Sequence, residues 1–486
     1  AAYASFNHLE AYLGGRYRKK AWLVSASGAL RKADGDYPYT YTNGFQSVSE
    51  RRENNDYLDA NYTATAGYSG KIAALRVGYR GKIIDQGLPG AIVFYNQTQN
   101  ERLNTSENTL FSDVEWKVSR FSLRIHGQVL QNTLHYVDPD FLNAKGGLDV
   151  EYTNRTLNVG AMAQVGLNKW NMQLGTEQFI SDLIVNDTLF AQPLRYHNMS
   201  VLAAVYRLAR FELRMQASSQ YISERNEKGS SAGDRFRVNP MVSAEHTTKG
   251  GKFKEHVSYR STFRMPSFNE LYYNSVGNVN LLPEDAHVLD YSAALVLRSG
   301  AMNMVVRSKL FASLVKNKIV AFPTQNLFVW SMQNIGQARV YGTEALVDAQ
   351  WKLNPKWRID VTVNYTFQRA LDYSDRNSPS YGDQLAYVPK HSGNMDVSVH
   401  YKTTGIRFSN YALSMRYSLN ENVIQNEMLG FWIMDIGIFH SFAIKKDNQI
   451  TLRATVKNIF NQSYAYIRSY VMPGTNFTLS LNYAIH

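Results

Sequence analysis

The chain has 486 residues, no cysteine, 32 tyrosines, 23 phenylalanines and a formal net charge of +12. No stretch approaches the roughly 18 consecutive apolar residues that a transmembrane helix requires. The lysines and arginines are scattered rather than clustered, which argues against a nucleic-acid partner.

Alternation of apolar and polar residues recurs along the chain. Residues 211–217 read F-E-L-R-M-Q-A, and residues 357–368 read W-R-I-D-V-T-V-N-Y-T-F-Q. Residues 395–402, 450–457 and 476–486 repeat the pattern. A period of two places the apolar side chains on one face of a β-strand, and no segment carries a sustained helical stripe. In so long a chain this indicates an outer-membrane β-barrel with very little helix, rather than a soluble sandwich.

The connections between these segments alternate in length. Short polar turns, such as residues 17–20 and 167–169, are followed by long segments rich in Asn, Ser, Gly, Tyr and Pro. The long segments lie near residues 32–55, 85–106, 132–145, 179–195, 222–233, 265–286, 317–335, 369–388, 419–427 and 460–475. Short turns at one rim and long loops at the other are typical of outer-membrane barrels, whose turns are periplasmic and whose loops are extracellular.

The number of connections predicts an all-β fold, a large antiparallel transmembrane barrel. We count about 21 strands in this chain, whereas bacterial single-chain barrels have even numbers and large ones have 22. Residues 5–16 lead directly into a short turn, so we expect this strand to descend towards the periplasm. The ascending strand before it is then expected on a separate or preceding segment, and residues 1–486 form one barrel domain.

Three motifs resemble those of a known family. Residues 259–284 read Y-R-S-T-F-R-M-P-S-F-N-E-L-Y-Y-N-S-V-G-N-V-N-L-L-P-E, and residues 334–344 contain N-I-G followed by Y-G-T-E. Residues 456–477 contain V-K-N-I-F-N-Q-S-Y and then M-P-G-T-N-F. These segments are similar to a rising strand, a descending strand and the last hairpin of TonB-dependent outer-membrane transporters.

The resemblance implies active uptake of a large, scarce solute, with no enzymatic activity. In that family an N-terminal plug fills the lumen and is remodelled by the TonB energy-transducing complex. The plug domain is absent from this chain, so we expect it, with the first strand, on a plug-bearing N-terminal segment. A passive diffusion pore without a plug is the alternative, and strong ion conductance would distinguish it.

The substrate class is suggested by a weaker resemblance. Residues 322–336, F-P-T-Q-N-L-F-V-W-S-M-Q-N-I-G, are similar to cobalamin-type receptors of Bacteroidota, which often work with a surface lipoprotein lid. Cobalamin is therefore the first candidate, followed by a ferric siderophore and haem. The positive charge is explained by basic residues in turns, lumen and rims, or by attraction to an anionic ligand or to lipopolysaccharide of the outer membrane.

Aromatic residues with neighbouring amides in the long loops are the candidate ligand contacts, because they suit a large, partly polar ligand. The alternative interpretation is an interfacial aromatic girdle. The candidates are Tyr37, Tyr39, Tyr41, Tyr95, Asn96, Tyr272, Tyr273 and Asn274. Asp34 and Asp36 could hold a Ca²⁺ ion through loop oxygens, although two carboxylates are too few for a complete site. No cofactor is expected, and no catalytic motif is present.

Overall fold

A computed structural model describes residues 1–43, 46–92, 100–141, 146–187, 190–273, 277–323, 330–445 and 448–484. One antiparallel sheet of 22 strands dominates the structure. Within the described residues, no helix combines the length and the apolar character needed to cross a membrane.

The strands of this sheet are numbered here in chain order. They are β1 (Ala2–Ala4), β2 (His8–Lys19), β3 (Trp22–Ala33), β4 (Tyr57–Ser69), β5 (Ala73–Gly87), β6 (Arg102–Val118), β7 (Phe121–Asp138), β8 (Leu148–Leu167), β9 (Trp170–Val185), β10 (Pro193–Leu208), β11 (Phe211–Asn226), β12 (Arg235–Thr247), β13 (Phe253–Arg264), β14 (Glu284–Ser299), β15 (Met302–Pro323), β16 (Trp330–Lys352), β17 (Trp357–Asp372), β18 (His391–Tyr401), β19 (Thr404–Leu413), β20 (Phe431–Lys445), β21 (Asn448–Lys457) and β22 (Asn476–Ala484).

The sheet closes on itself between its first and last strands. β1 pairs with β2 on one side, where Tyr3 lies opposite Leu9. On the other side it pairs with β22, where Tyr3 lies opposite Leu479. Closure through these pairings joins the two ends of the sheet, as strands in lipid require, because unpaired backbone groups there find no water. The predicted 22-strand antiparallel barrel is confirmed, and the described residues contain no plug domain.

The first strand differs in detail from the prediction. Sequence analysis assigned the ascending strand to another segment, whereas Ala2–Ala4 occupies part of its position. Three residues are too short to show a period of two, so the pattern could not reveal this strand. Below it, residues 11–19 of β2 are exposed, because β1 does not extend far enough to cover them.

The two faces of the wall match the two expected environments. On β9 and β10, Leu174 and Leu202 point outward and are 61% and 55% exposed. At the rim with short turns, tryptophan–tyrosine pairs face the same way, with Trp170 lying 4.8 Å from Tyr206 between ring centroids. Trp357 lies at the same distance from Tyr401. These pairs form an aromatic girdle at the periplasmic rim.

The opposite rim carries the long loops, some of which contain short elements. Pro38–Asn43 pairs with Gln46–Arg51, and Arg416–Tyr417 pairs with Glu427–Met428. The loop between β13 and β14 contains the α-helix Phe268–Tyr272, designated α1. The prediction of little helix is consistent with the described residues, in which α1 has five residues.

Glycine at position 342 is a steric requirement of the wall. A Cβ atom there would lie 2.1 Å from the carbonyl oxygen of Phe367 on β17 and 2.8 Å from the Phe311 ring. At Gly336, six positions earlier on β16, the nearest atoms would be 3.4 Å away, which is ordinary contact. The two glycines of one motif therefore differ in their tolerance of a side chain.

We expect Gly342→Ala to impair barrel assembly, because a backbone oxygen cannot move aside as a flexible side chain can. Overpacking of this kind costs about 1–3 kcal/mol. The folded fraction can be measured by heat-modifiable electrophoretic migration of outer-membrane extracts. Gly336→Ala is the matched control and should assemble normally; equal assembly of the two variants would contradict the steric account.

Candidate functional site

The upper lumen contains a cavity of about 460 Å³ beneath the extracellular loops. Its wall is formed by β18–β21 and by the loop that precedes β22. The polar lining side chains alternate with outward apolar ones: Asp396 follows the lipid-facing Met395, and Lys457 follows the lipid-facing Val456. Alternation along the strands therefore places charges towards the lumen.

The charges in this cavity are only partly neutralised. Asp396 accepts a hydrogen bond from Arg407 Nη2 at 2.7 Å. Asp435 accepts the backbone N–H of Asn458 at 2.8 Å. Among the described residues, no carboxylate pairs with Lys457. The cavity thus offers carboxylates, a free ammonium group and amides to a ligand with both acceptors and donors.

Aromatic rings close the upper side of the cavity. The Phe431 ring lies 4.9 Å from that of Tyr464 and 5.4 Å from that of Tyr466. Tyr411 lies 6.0 Å from Phe431. Burial, reinforced by the neighbouring Tyr466 and Asp435, raises the pKa of Tyr464 to about 12. The phenol is therefore neutral at physiological pH and can donate a hydrogen bond.

Arg416 contacts the ring of Phe431 and the backbone that carries Tyr466. It is only 2% exposed. Its Nη2 donates to the backbone oxygens of Ala465 and Tyr466, at 2.6 and 2.9 Å, and its guanidinium lies 5.7 Å from the Phe431 ring. Burial lowers the pKa of Arg416. A buried cation bound to two carbonyls fixes the backbone that carries Tyr466.

The loops around the cavity are joined to one another, and we call segments 34–43, 373–390, 414–430 and 458–475 the extracellular cap. Arg468 Nη1 donates to the backbone oxygen of Gln425 at 2.7 Å. The backbone N–H of Tyr387 donates to the oxygen of Tyr417 at 2.7 Å. These bonds link loops that are distant in sequence, so the cap is one packed structure over part of the lumen.

The first predicted aromatic cluster belongs to this cap. Tyr37 is buried, and its hydroxyl donates to the backbone oxygen of Val471 at 2.8 Å. Tyr39 and Tyr41 stack on the hairpin at 6.0 Å, and Tyr39 donates to Glu50 at 2.9 Å. Burial and the Glu50 carboxylate raise the pKa of Tyr39 to about 12. Tyr37 thus supports the cap, while the hairpin presents the other two rings.

The predicted calcium ligands already have partners. Asp34 accepts from Asn7 Nδ2 at 2.6 Å, and Asp36 pairs with Arg51 at 2.7 Å. Among the described residues, no group of three His, Cys, Asp or Glu side chains is arranged to hold a metal ion. The calcium site therefore stays a prediction.

The described residues of the other predicted cluster, Tyr272 and Tyr273, pack against the side chains of the barrel strands. Tyr272 is 7% exposed and donates its hydroxyl to Glu224. The Tyr273 ring stacks on Tyr152 with centroids 3.9 Å apart. Burial raises the pKa of Tyr273 to about 12. These two rings anchor the loop between β13 and β14 to the barrel. Tyr95, Asn96 and Asn274 lie outside the described residues.

The anchor of the loop between β13 and β14 is a buried charged pair. Glu224 is 2% exposed and accepts from Arg195 Nε at 2.6 Å. Arg195 Nη1 also donates to the backbone oxygen of Pro266 at 2.9 Å, and the guanidinium lies 4.6 Å from the Phe268 ring. The Arg195 guanidinium and the Tyr272 hydroxyl both donate hydrogen bonds to the Glu224 carboxylate, which permits the burial of all three groups.

A second set of bonds holds the start of the same loop. Ser267 and Glu270 form a reciprocal capping box at the N-terminus of α1. Arg264 Nη1 donates to Glu270 Oε2 at 2.9 Å. Although burial opposes the charged form, hydrogen bonds from Arg264 and Ser267 lower the pKa of Glu270. The carboxylate therefore remains ionised at neutral pH and keeps the helix fixed.

Sequence reasoning missed the residues that line the cavity. They are Asp396, Ser409, Tyr411, Asp435, Lys457, Tyr464 and Tyr466. Most lie on regular strands, where the polar alternation was interpreted only as a lumen lining. That alternation identified the correct face, but it could not show which lumenal residues the loops enclose.

We expect Glu224→Ala to release the loop between β13 and β14 without unfolding the barrel. Removing one partner of a buried ion pair leaves Arg195 uncompensated, which costs about 3–5 kcal/mol. Chymotrypsin cleavage within residues 265–273 should become at least about 100-fold faster, as expected for an opening equilibrium shifted by that energy.

The matched control is Glu212→Ala on the same strand. Glu212 pairs with Arg207 at 2.7 Å, but its partner is well exposed. Cleavage of the loop should be unchanged in that variant. If Glu224→Ala is cleaved no faster than Glu212→Ala, the buried pair does not hold the loop.

Comparison with known proteins places this geometry in a family. Residues 2–459 match the family described as TonB dependent receptor-like, beta-barrel. One curated relative is the vitamin B12 transporter BtuB of Vibrio vulnificus (strain YJ016), 25% identical over 237 residues. That match covers 46% of this chain and 33% of the relative, so it spans about a third of the relative's length.

Solved structures show the same fold. They include the copper transporter OprC (TM-score 0.76, 13% identity, 99% of this chain and 81% of that chain). The FrpB iron transporter from Neisseria meningitidis, F3-3 variant, has a TM-score of 0.76 at 12% identity, with 99% and 80% covered. The siderophore receptor PiuA from Acinetobacter baumannii has a TM-score of 0.74 at 11% identity, with 99% and 80% covered.

The family match covers nearly the whole chain, and the structural likeness extends over the complete barrel. The family is one of transporters rather than enzymes. This chain belongs to the TonB-dependent receptor β-barrel family of the bacterial outer membrane.

Proposed function

We propose that the protein takes up a large, scarce solute across the outer membrane by TonB-dependent active transport. The observation that carries the proposal is the cavity of about 460 Å³ in the upper lumen, which lies beneath the extracellular cap. Its volume falls within the usual range of ligand pockets, about 300–1,000 Å³. Rings above and charged groups below suit a ligand with a flat apolar part and polar substituents.

Cobalamin is the first candidate substrate, followed by a ferric siderophore and haem. The match to a vitamin B12 transporter supports this order, while the similar structures are described as transporters or receptors for copper, iron and siderophores. The resemblance to receptors of Bacteroidota, and the surface lipoprotein lid it implies, stay predictions.

The energy-transducing step requires a plug, which we propose is carried by an N-terminal segment that also completes the first strand. The wall beside Ala1 supports this proposal. An apolar cavity of about 660 Å³ lies there, lined by Tyr3, Leu9 and Leu481 among others. Beyond Glu10, none of the described residues pairs with β2 on this side along residues 11–19, so an antiparallel strand can pair with it.

The other proposed partners are inferred from the location of the barrel in the outer membrane. The TonB complex would act through the plug, and lipopolysaccharide would surround the outer part of the wall. A passive pore without a plug is the competing function. The packed extracellular cap favours the transporter, because a diffusion pore gains nothing from a lumenal cavity lined by aromatic rings.

We expect replacement of the two cap tyrosines, Tyr464→Ala with Tyr466→Ala, to reduce solute binding at least about tenfold. Loss of two stacking rings should remove at least about 1.4 kcal/mol. Binding to outer-membrane vesicles can be measured with cyanocobalamin, with a ferric catecholate and with haemin in turn.

Phe460→Ala is the control, because Phe460 belongs to the same loop but stacks on Trp432 at 5.2 Å, outside the cavity. It should bind like the unaltered protein. If the unaltered protein binds none of the three probes, the substrate assignment fails. If Phe460→Ala loses as much binding as the tyrosine variant, the cavity is not the site.

A further inference from the structure

Three basic side chains, Lys316, Arg339 and Arg369, stand together on the outward face of β15–β17, and we call them the basic row. Arg369 lies directly opposite the lipid-facing Tyr341, which is 41% exposed. Arg339 lies two positions from Tyr341 on β16 and so shares its face. The basic row is therefore on the membrane side of the wall and not in the lumen.

Strand pairing places the three side chains along a diagonal. Lys316 lies opposite Gln337, two positions from Arg339 on β16. Arg339 in turn lies opposite Leu371, two positions from Arg369 on β17. Diagonal neighbours of this kind are about 7–8 Å apart. Side chains as long as lysine and arginine can therefore reach one ligand from all three positions.

The height of the basic row follows from strand geometry. A strand tilted by about 40° gains about 2.5 Å of height per residue. Arg369 then lies about 30 Å above Trp357 of the periplasmic girdle, beyond an apolar band about 25 Å tall. Arg339 and Lys316 lie about 5 and 10 Å higher still. Since headgroups extend a membrane to about 40–45 Å, the basic row is at the level of the outer headgroups.

The charges of the basic row are not neutralised within the part of the chain that the structure describes. No carboxylate there forms an ion pair with any of the three cations. Asp285 lies opposite Lys316 on β14, but it pairs with Arg237 at 3.4 Å. The Nε of Arg369 has no hydrogen-bond partner among the described residues. The loop residues 324–329 contain no carboxylate. The basic row therefore offers its charges to an anion from outside the chain.

Outward cations on another part of this rim differ from the basic row. Arg102 pairs with Asp85 at 2.8 Å, and Arg155 Nε donates to Asp182 at 3.0 Å. Lys32 has no carboxylate partner among the described residues, but it stands between apolar residues of both neighbouring strands. Several unpaired cations side by side therefore distinguish the basic row from these three.

Arg339 is held in a position suited to an anion. Its guanidinium lies 4.1 Å from the centroid of the Tyr373 ring. Tyr373 is fixed in turn, because its backbone N–H donates to the oxygen of Gln337 at 2.8 Å. Among the described residues, the guanidinium makes one hydrogen bond, from Nη2 to Gln337 Oε1 at 3.4 Å. A stacked guanidinium keeps the N–H groups at its edge available, and these bind phosphate oxygens in pairs.

We propose that the basic row binds the phosphate groups of one lipopolysaccharide molecule at a fixed site on the barrel wall. Phosphate is the headgroup chemistry that matches a group of unpaired cations at this height. Below the row, the lipid-facing Leu310 and Tyr341 are 56% and 41% exposed and offer contacts to the acyl chains of the same molecule. The site is outside the lumen, so the proposal is independent of the transported solute.

The test uses the protein purified in mild detergent and titrated with lipid A, the phosphorylated membrane part of lipopolysaccharide. The variant combines Lys316→Gln, Arg339→Gln and Arg369→Gln, which removes the charges and keeps polar side chains at the membrane surface. Its affinity for lipid A should fall at least about 30-fold, since each cation near an anionic membrane surface contributes about fivefold. Heat-modifiable migration shows whether the variant is folded.

Lys32→Gln is the matched control, because Lys32 is also an outward, unpaired cation near this rim but has no basic neighbour on the paired strands. It should bind lipid A like the unaltered protein. If the combined variant binds as tightly as Lys32→Gln, or if the unaltered protein does not bind lipid A, the proposal is wrong. Arg339→Gln alone should weaken binding at least about threefold, which keeps the test decisive if the combined variant does not assemble.

A second titration separates phosphate recognition from its alternatives. Lipid A with its phosphates removed should bind the unaltered protein at least about 30-fold more weakly than lipid A. Inorganic phosphate at the concentration of the lipid should not displace lipid A, because it lacks the acyl contacts. Equal binding of the two lipids would mean that only the acyl chains are recognised, and displacement by phosphate would make a free anion the occupant. Either result would overturn the proposal.

Discussion

The structure depends on one constraint: every backbone donor and acceptor in the hydrocarbon region must be paired within the protein. A sheet meets this constraint only by closing, and closure here runs through the short pairing of Ala2–Ala4 with β2 and β22. Once the sheet is closed, each strand separates a lipid face from a lumen face. The period of two then determines which side chains face the lipid and which face the lumen.

The extracellular cap shows how loops on this frame can build a site. Strands deliver Asp396, Asp435 and Lys457 to the lumen, and the loops then cover them with rings. The buried groups Arg416 and Glu224 fix these loops through carbonyl and ion-pair contacts. Because such contacts are costly to break, the cap and the loop that contains α1 are expected to be rigid parts of the rim, against which a ligand can be bound.

Much of the fold could be predicted from the sequence, because strand alternation and loop length are local properties. The candidate site was harder, because Tyr37 and Val471 meet across the closure of the barrel and no local pattern records such a contact. Tyr272, a predicted ligand contact, donates a hydrogen bond to Glu224 and anchors a loop, and its contact with a ligand stays a prediction. The S-F-N-E sequence at Ser267–Glu270 is a capping box that could have indicated α1. The sequence around Arg416 contains no pattern that distinguishes a buried arginine from an exposed one.

The central claim is that this barrel belongs to a gated, energised transporter and does not act as an open pore. Ion conductance of the protein purified from outer membranes and inserted in a planar lipid bilayer tests that claim most directly. The account predicts no steady conductance, because a plug should occupy the lumen of the 22-strand barrel. A large, stable conductance from the intact protein would contradict it and favour passive diffusion.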